Sequence, residues 1–192
     1  KLSVIGFGGI VVKDATIEQA SERVRAAIDA GVNYFDVAPS YGNAEDMLGP
    51  ALEPYRNGVF LACKTQGRMK DAATAELESS LRKMRTDHFD LYQHHAVTKK
   101  ADVETILGPG GAMEAFEAAK KAGKVRFLGF SAHSDPAGVL DAAIDTNVYS
   151  MGMVAYHFLN DRWVGPVLEK AKKADFGVMA MKSSRVIQNP FN

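Results

Sequence analysis

Several of the devices that fix a fold or announce a partner are missing from this chain of 192 residues. It holds a single cysteine, Cys63, which excludes an internal disulfide; the fold must therefore stand on packing alone. It has no excess of charge, since 23 Lys and Arg are matched by 23 Asp and Glu. That balance lacks the basic footprint of a nucleic-acid binder or of a protein drawn to an acidic membrane surface. No apolar run approaches the roughly 20 residues that span a bilayer. No secretory signal is visible, and no low-complexity segment interrupts the chain. These absences predict a cytoplasmic protein with no nucleic-acid and no membrane partner, and they leave oligomeric state open. The chain starts at Lys1, not Met, and enters a strand-like run directly, so the natural N-terminus is expected upstream. What is present is ordinary for a globular domain: 46% apolar and 24% charged residues, with a length that suits one domain over residues 1–192.

Short apolar runs alternate with helical stretches. The runs Val4–Phe7, Tyr34–Ala38, Val59–Lys64, Phe89–His95, Val125–Ser131, Ser150–Tyr156 and Gly177–Met181 are rich in Val, Phe, Tyr and Leu. Near-continuous apolar runs of this length mark parallel strands buried on both faces. Between them, Ile17, Ala20, Val24, Ala27 and Ile28 share one helical face. Thr16 and Gln19 have capping-box spacing at its start, and Gly31 suits its end. A second helix from Asp71 carries Leu77, Leu81 and Met84. Another carries Ala112, Phe116 and Ala119 and closes at Gly123. Asp135-Pro136 reads as an N-cap and first turn, and a last helix is expected over Pro166–Ala174. Val97–Gly111 reads as a loop, broken by Gly108-Pro109-Gly110-Gly111.

Strictly alternating β and α elements give a parallel sheet with right-handed crossovers. The choice lies between a barrel and an open doubly wound sheet. Asp36, Lys64, His95, Ser131, His157 and Lys182 each fall at the C-terminal end of a different strand, and in a barrel those ends converge on one mouth. A dinucleotide-binding open sheet would show a G-x-G-x-x-G first turn. Gly6-Phe7-Gly8-Gly9 lacks that spacing. The pattern therefore points to a parallel (β/α)8 TIM barrel with seven strands visible. The eighth unit is unaccounted for, so the chain is expected to be incomplete at its C-terminus.

Three motifs sharpen the reading. Asp36-Val37-Ala38-Pro39-Ser40-Tyr41-Gly42 is followed by Glu45 and Leu48-Gly49. Lys64 ends the third strand. Asp90-Leu91-Tyr92-Gln93-His94-His95 forms the fourth. In this order and spacing the set resembles the aldo-keto reductase family, and the likeness extends through Gly6–Gly9, Gly129-Phe130-Ser131 and Gly177–Lys182. The resemblance implies an NADP(H)-dependent oxidoreductase acting on a small carbonyl or alcohol, with NAD(H) not excluded. It also implies a site of Asp36, Tyr41, Lys64 and His95.

The chemistry agrees with that implication. Reducing a carbonyl leaves an alkoxide, which needs a proton donor and charge stabilisation. A tyrosine hydroxyl titrates near 10, and a neighbouring ammonium makes such a group more acidic. Lys64 would be that ammonium, Asp36 would hold it charged, and His95 would donate a hydrogen bond to the substrate oxygen. His94 points to the other side of its strand and is expected to pack against a helix.

For the cofactor, the resemblance implies Gly8, Gly9, Ser131, Met181, Lys182 and Ser183. Ala132, Met153 and Met181 stand where the family carries Asn, Gln and Tyr. The G-x-S-x-H run ending at His133 marks a divergent branch. Methionine can pack on a ring face, and Lys182 can meet a phosphate. Two other readings stay open: a non-catalytic NADP-binding regulator on the same fold, and a metal-dependent barrel hydrolase using Asp36, His95, His133 and His157. The reductase reading requires no metal. Trp163 and Phe158 line an apolar pocket or cover the barrel rim.

Overall fold

The computed structural model describes residues 1–184. Seven parallel strands form one sheet in strict chain order: β1 (Phe7–Gly8), β2 (Tyr34–Asp36), β3 (Phe60–Thr65), β4 (Phe89–Val97), β5 (Val125–Ala132), β6 (Met151–Ala155) and β7 (Gly177–Met181). The sheet curls into an incomplete (β/α) barrel whose outer edges are β1 and β7. Seven helices lie between the strands: α1 (Ile17–Asp29), α2 (Ala44–Leu52), α3 (Lys70–Lys83), α4 (Lys100–Leu107), α5 (Ala112–Lys121), α6 (Pro136–Asp145) and α7 (Asp161–Lys173). None is long and apolar enough to cross a membrane.

Two apolar clusters show how the strands are sided. The larger, with Val24, Phe35, Leu48, Leu61, Leu77, Phe116, Phe130 and Leu140, fills the layer between sheet and helices. The smaller, with Tyr34, Ala62, Leu91 and Met153 joined by Phe60, Met151, Met179 and Met181, lines the inner face. Alternation along each strand produces this split: Tyr34 and Phe35 go to opposite faces, as do Ala62 and Leu61. The same period carries Asp36, Lys64, Gln93 and His95 to the inner face above the smaller cluster.

Local signals read from the sequence hold at most helix ends. Thr16 and Gln19 form a full capping box on α1. Asp135 caps α6 through the amide of Gly138, with Pro136 in the first turn. Four elements differ from expectation by more than two residues. The first strand is Phe7–Gly8 rather than Val4–Phe7; Val4 and Ile5 are exposed and unpaired with β2, whose register begins at Phe7 opposite Phe35. The stretch expected as the loop Val97–Gly111 contains α4, started by Asp102, whose carboxylate accepts from Thr98 and Lys99, and held by buried Val103 and Ile106. Helix α7 starts at Asp161 rather than at Pro166, which lies inside it. Burial of Val164 and Ala171 outweighs the one backbone bond that Pro166 removes. Helix α2 follows the Tyr41-Gly42 turn and begins at Ala44; it was not anticipated at all.

Candidate active site

The C-terminal ends of β2, β3 and β4 deliver three of the four residues expected to carry chemistry. Asp36 ends β2 with its carboxylate 7% exposed; Lys64 lies one residue from the end of β3 and is 1% exposed. Lys64 Nζ donates to Asp36 Oδ1 in a buried ion pair. The other carboxylate oxygen, Oδ2, accepts from Gln93 Nε2 at 3.0 Å. Asp36 is thus held on both sides, as a buried charge must be if it is not to cost several kcal/mol.

Tyr41 arrives from the following loop. Its amide donates to the carbonyl of Ala38 at 3.0 Å. The chain then turns through Gly42 at φ 64°, a left-handed conformation that glycine adopts without a Cβ penalty. The turn places the Tyr41 hydroxyl 3.1 Å from Lys64 Nζ. Burial works against the charge on Lys64, but Asp36 and Tyr41 outweigh it, so its pKa stands above the ordinary lysine value and the group is an ammonium at neutral pH. The Tyr41 and His95 rings meet edge to face, with centroids 5.8 Å apart.

His95 is presented by a β-bulge. Register with β5 runs His94 opposite Phe130 and then Val97 opposite Ala132, so His95 and Ala96 together face Ser131. Ala96 takes φ 52° at this point. Three contacts hold the bulge: the Ala96 amide donates to Ser131 Oγ at 2.9 Å, and Arg68 donates to the carbonyls of His95 at 2.6 Å and Ala96 at 3.1 Å. Burial, then the nearby Lys64, His133 and Arg68, push the His95 pKa down to about 4. Its ring is therefore neutral at pH 7, and Nδ1 lies 3.2 Å from Ser40 Oγ.

The tetrad Asp36, Tyr41, Lys64 and His95 thus converges as expected. His94, as expected, leaves the inner face; it stacks on Phe116 of α5 with centroids 3.8 Å apart. Gln93, Ser40 and Arg68 were not singled out from the sequence. Gln93 was within reach, because alternation places it on the same face as His95. Ser40 and Arg68 carry no such signal, since both lie in loops. The remaining motif residues turn out to be architectural. Asp90 opens the strand that ends near His95, at the far end of the barrel, where it takes the Leu61 amide and pairs with Arg56 and Arg126. Glu45 is buried beside Lys83 and Cys63 and ties α2 to α3.

The expected cofactor residues form a different kind of surface. Ser131 and Met153 are paired across β5 and β6, and Met181 is paired with Ala155 across β6 and β7. The thioethers of Met153 and Met181 belong to the inner apolar cluster. Ser131 Oγ accepts from Ala96 but keeps its own proton to donate. This donor set fits a nicotinamide: thioethers suit a ring face, and a hydroxyl suits a carboxamide. Lys182 follows β7 with φ 59°, and Ser183 is exposed in the next turn. Gly9 has a packing reason to be small, since a Cβ there would lie 2.9 Å from the Asp36 carbonyl oxygen. A Cβ on Gly8 would meet Ile10 Cγ2 at 3.9 Å, an ordinary contact.

His133 and His157 line a neighbouring cavity of about 380 Å³ with Trp163 and Asn160, while Phe158 is exposed and not among its lining residues. Among the described residues, no three His, Cys, Asp or Glu side chains come together to hold a metal. Asp36 is instead committed to Lys64 and Gln93.

Comparison with known proteins bears on the family and the fold. The model of the "Aldo/keto reductase family" matches residues 4–184. Aldo-keto reductase YhdN of Bacillus subtilis is 31% identical over 144 residues, covering 68% of this chain and 42% of that protein. Methylglyoxal reductase YeaE of Escherichia coli is 37% identical over 126 residues, covering 59% and 41%. The chain thus spans less than half the length of these curated relatives. A solved structure of an aldo-keto reductase from Klebsiella pneumoniae in complex with NADPH superposes with a TM-score of 0.79 at 24% identity, covering all of this chain and 67% of that one. With the family model matching nearly its whole length, the chain belongs to the aldo/keto reductase family.

Proposed function

We propose that this chain carries the catalytic centre of an NADP(H)-dependent carbonyl reductase, which interconverts an aldehyde or ketone and its alcohol. The observation that carries the reading is the hydrogen-bonded run from Asp36 to Lys64 to the Tyr41 hydroxyl. A buried ammonium stabilises the oxyanion that a tyrosine leaves when it gives up its proton. Asp36 keeps that ammonium charged, and Gln93 keeps Asp36 oriented. Tyr41 hands its proton to the substrate oxygen as charge grows there, and the neutral His95 ring donates a hydrogen bond to the same oxygen. In the reverse direction the same groups take the proton back.

NADPH, when bound, supplies the hydride. Ser131, Met153, Met181, Lys182 and Ser183 are the residues that would hold it, with Gly8 and Gly9 at the β1 end. Support for the cofactor comes from the fit of the thioether and hydroxyl surface, and from the NADPH complex of the Klebsiella pneumoniae homologue. NADH remains the competitor to test beside it.

The test is Tyr41→Phe in the full-length protein, assayed with NADPH and a panel of aldehydes and ketones. The wild type is expected to turn over at least one carbonyl. The variant is expected to bind NADPH within about twofold of wild type and to lose about 10²- to 10⁴-fold in turnover, the range for a missing general acid. NADPH binding by the wild type without turnover of any carbonyl would favour a non-catalytic, NADP-binding regulator. Near-normal turnover in the variant would take Tyr41 out of the acid role.

A further inference from the structure

His95 presents a choice that its position alone does not settle. A neutral imidazole carries one N–H and one bare nitrogen, and only the N–H can donate to an oxygen gaining negative charge. Which nitrogen holds the proton is set by the partner of the other. The Nδ1 atom has such a partner, the Ser40 hydroxyl at 3.2 Å. Ser40 belongs to the same Asp36–Gly42 segment that delivers Tyr41.

We propose that Ser40 is a positioning residue that selects the His95 tautomer: its hydroxyl donates to Nδ1 and leaves the ring's single proton on Nε2, free for the substrate oxygen. The opposite arrangement, Nδ1–H donating to Ser40, leaves Nε2 a bare acceptor that repels a forming oxyanion. The backbone makes the ring's position reliable. Arg68 grips the His95 and Ala96 carbonyls, and Ser131 holds the Ala96 amide, so the bulge keeps Nδ1 facing Ser40. Burial first, then Lys64, His133 and Arg68, act against a second proton on the ring, so it stays a one-proton imidazole whose tautomer matters. The inference rests on the reading of His95 as donor to the substrate, and its test separates the two.

The experiment compares wild type, Ser40→Ala and Ser40→Thr as full-length proteins labelled with ¹⁵N at histidine. The His95 ring signals are identified by their loss in His95→Ala. Wild type and Ser40→Thr are expected to show Nε2–H, whereas Ser40→Ala shifts toward Nδ1–H or a mixture. In the same proteins, turnover in Ser40→Ala is expected to fall about 3- to 10-fold, the scale of one neutral hydrogen bond. KM and NADPH affinity should stay within about twofold, and Ser40→Thr should restore turnover. An Nδ1–H signal in wild type, an unchanged ring pattern in Ser40→Ala, or a tautomer shift with unaltered turnover would each overturn the proposal. A tautomer shift in a protein that reduces no carbonyl would leave Ser40 as the selector and remove the reductase reading instead.

Discussion

The two walls of the half-barrel are built on opposite principles. On β2–β4, Asp36, Lys64, Gln93 and Tyr41 form one hydrogen-bonded network, and the bulge that carries His95 is pinned by Arg68 and Ser131. On β5–β7 the inner face carries the thioethers of Met151, Met153, Met179 and Met181, with the Ser131 hydroxyl paired beside Met153. β7 is partly exposed along its whole length, with Val178 at 37%. The first wall is cross-linked by hydrogen bonds of its own, which under the proposed function suits groups that meet charge developing at one atom without reorganising. The second is rich in adaptable thioethers, which under the proposed function suits a surface that receives a flat ring. Under the proposed function, preorganisation is concentrated where charge would change and relaxed where a ring face would be received.

The contrast can be broken most severely at Tyr41, where Tyr41→Phe is expected to cost turnover by orders of magnitude while leaving fold and NADPH binding in place. Lys64→Met attacks the stability of the same wall. It strands the Asp36 carboxylate in a buried site, and the expected cost is about 3–5 kcal/mol, the range for breaking a buried pair from one side. Urea unfolding measures it, and a loss below about 1 kcal/mol would show that the pair is not holding the network together.

A smaller effect is expected on the helix-facing side of β4. His94 is fully buried against Phe116 and Tyr149. Burial, with a contribution from Arg68, pushes its pKa from 6.5 down to about 3. Because the folded value is depressed, the unfolded chain binds the extra proton. Stability from this group is therefore complete above pH 6.5 and is lost as pH falls from 6.5 toward 3. Between pH 7 and pH 5 the loss is about 2 kcal/mol by linkage. His94→Phe should remove that part of the acid sensitivity, and an unchanged pH slope in denaturant midpoints would show that another group governs it.

The smallest change is expected on the thioether wall. Met181→Ala should weaken NADPH binding about 2- to 10-fold, the scale of a lost sulfur–ring contact, with little change in stability because the side chain is only partly buried. Binding measured by fluorescence titration checks it. A loss as large as that from Lys64→Met would erase the distinction between the walls.

The legible part of the molecule was the part governed by short-range period. Alternation along Asp90–His95 separated His94 from His95 correctly, and the same rule applied one step earlier would have drawn in Gln93. The likeness to the aldo-keto reductase motifs gathered Asp36, Tyr41 and Lys64, which lie at a strand end or in the loop beyond it. The errors fell where local signals were weak or crossed by packing. Val4 and Ile5 look like strand residues, but register with β2 begins only at Phe7. The glycines around Gly108 suggested a loop and concealed α4, which is held by two buried side chains. Pro166 looked like a helix start, and burial of Val164 carried α7 a turn further back.

The sequence by itself determined the alternation of strand and helix and the faces of the strands, because both follow from periods of two and 3.6 residues; the four candidate groups were named by the likeness of their motifs to the aldo-keto reductase family. Only the tertiary structure decided how those groups are held. Gln93 lies 57 residues from Asp36 and Ser40 lies 55 from His95, while Arg68 reaches across 27 residues to the bulge. Contacts at such separations depend on the curl of the sheet and on a single bulge in β4, and no local pattern of side chains encodes either.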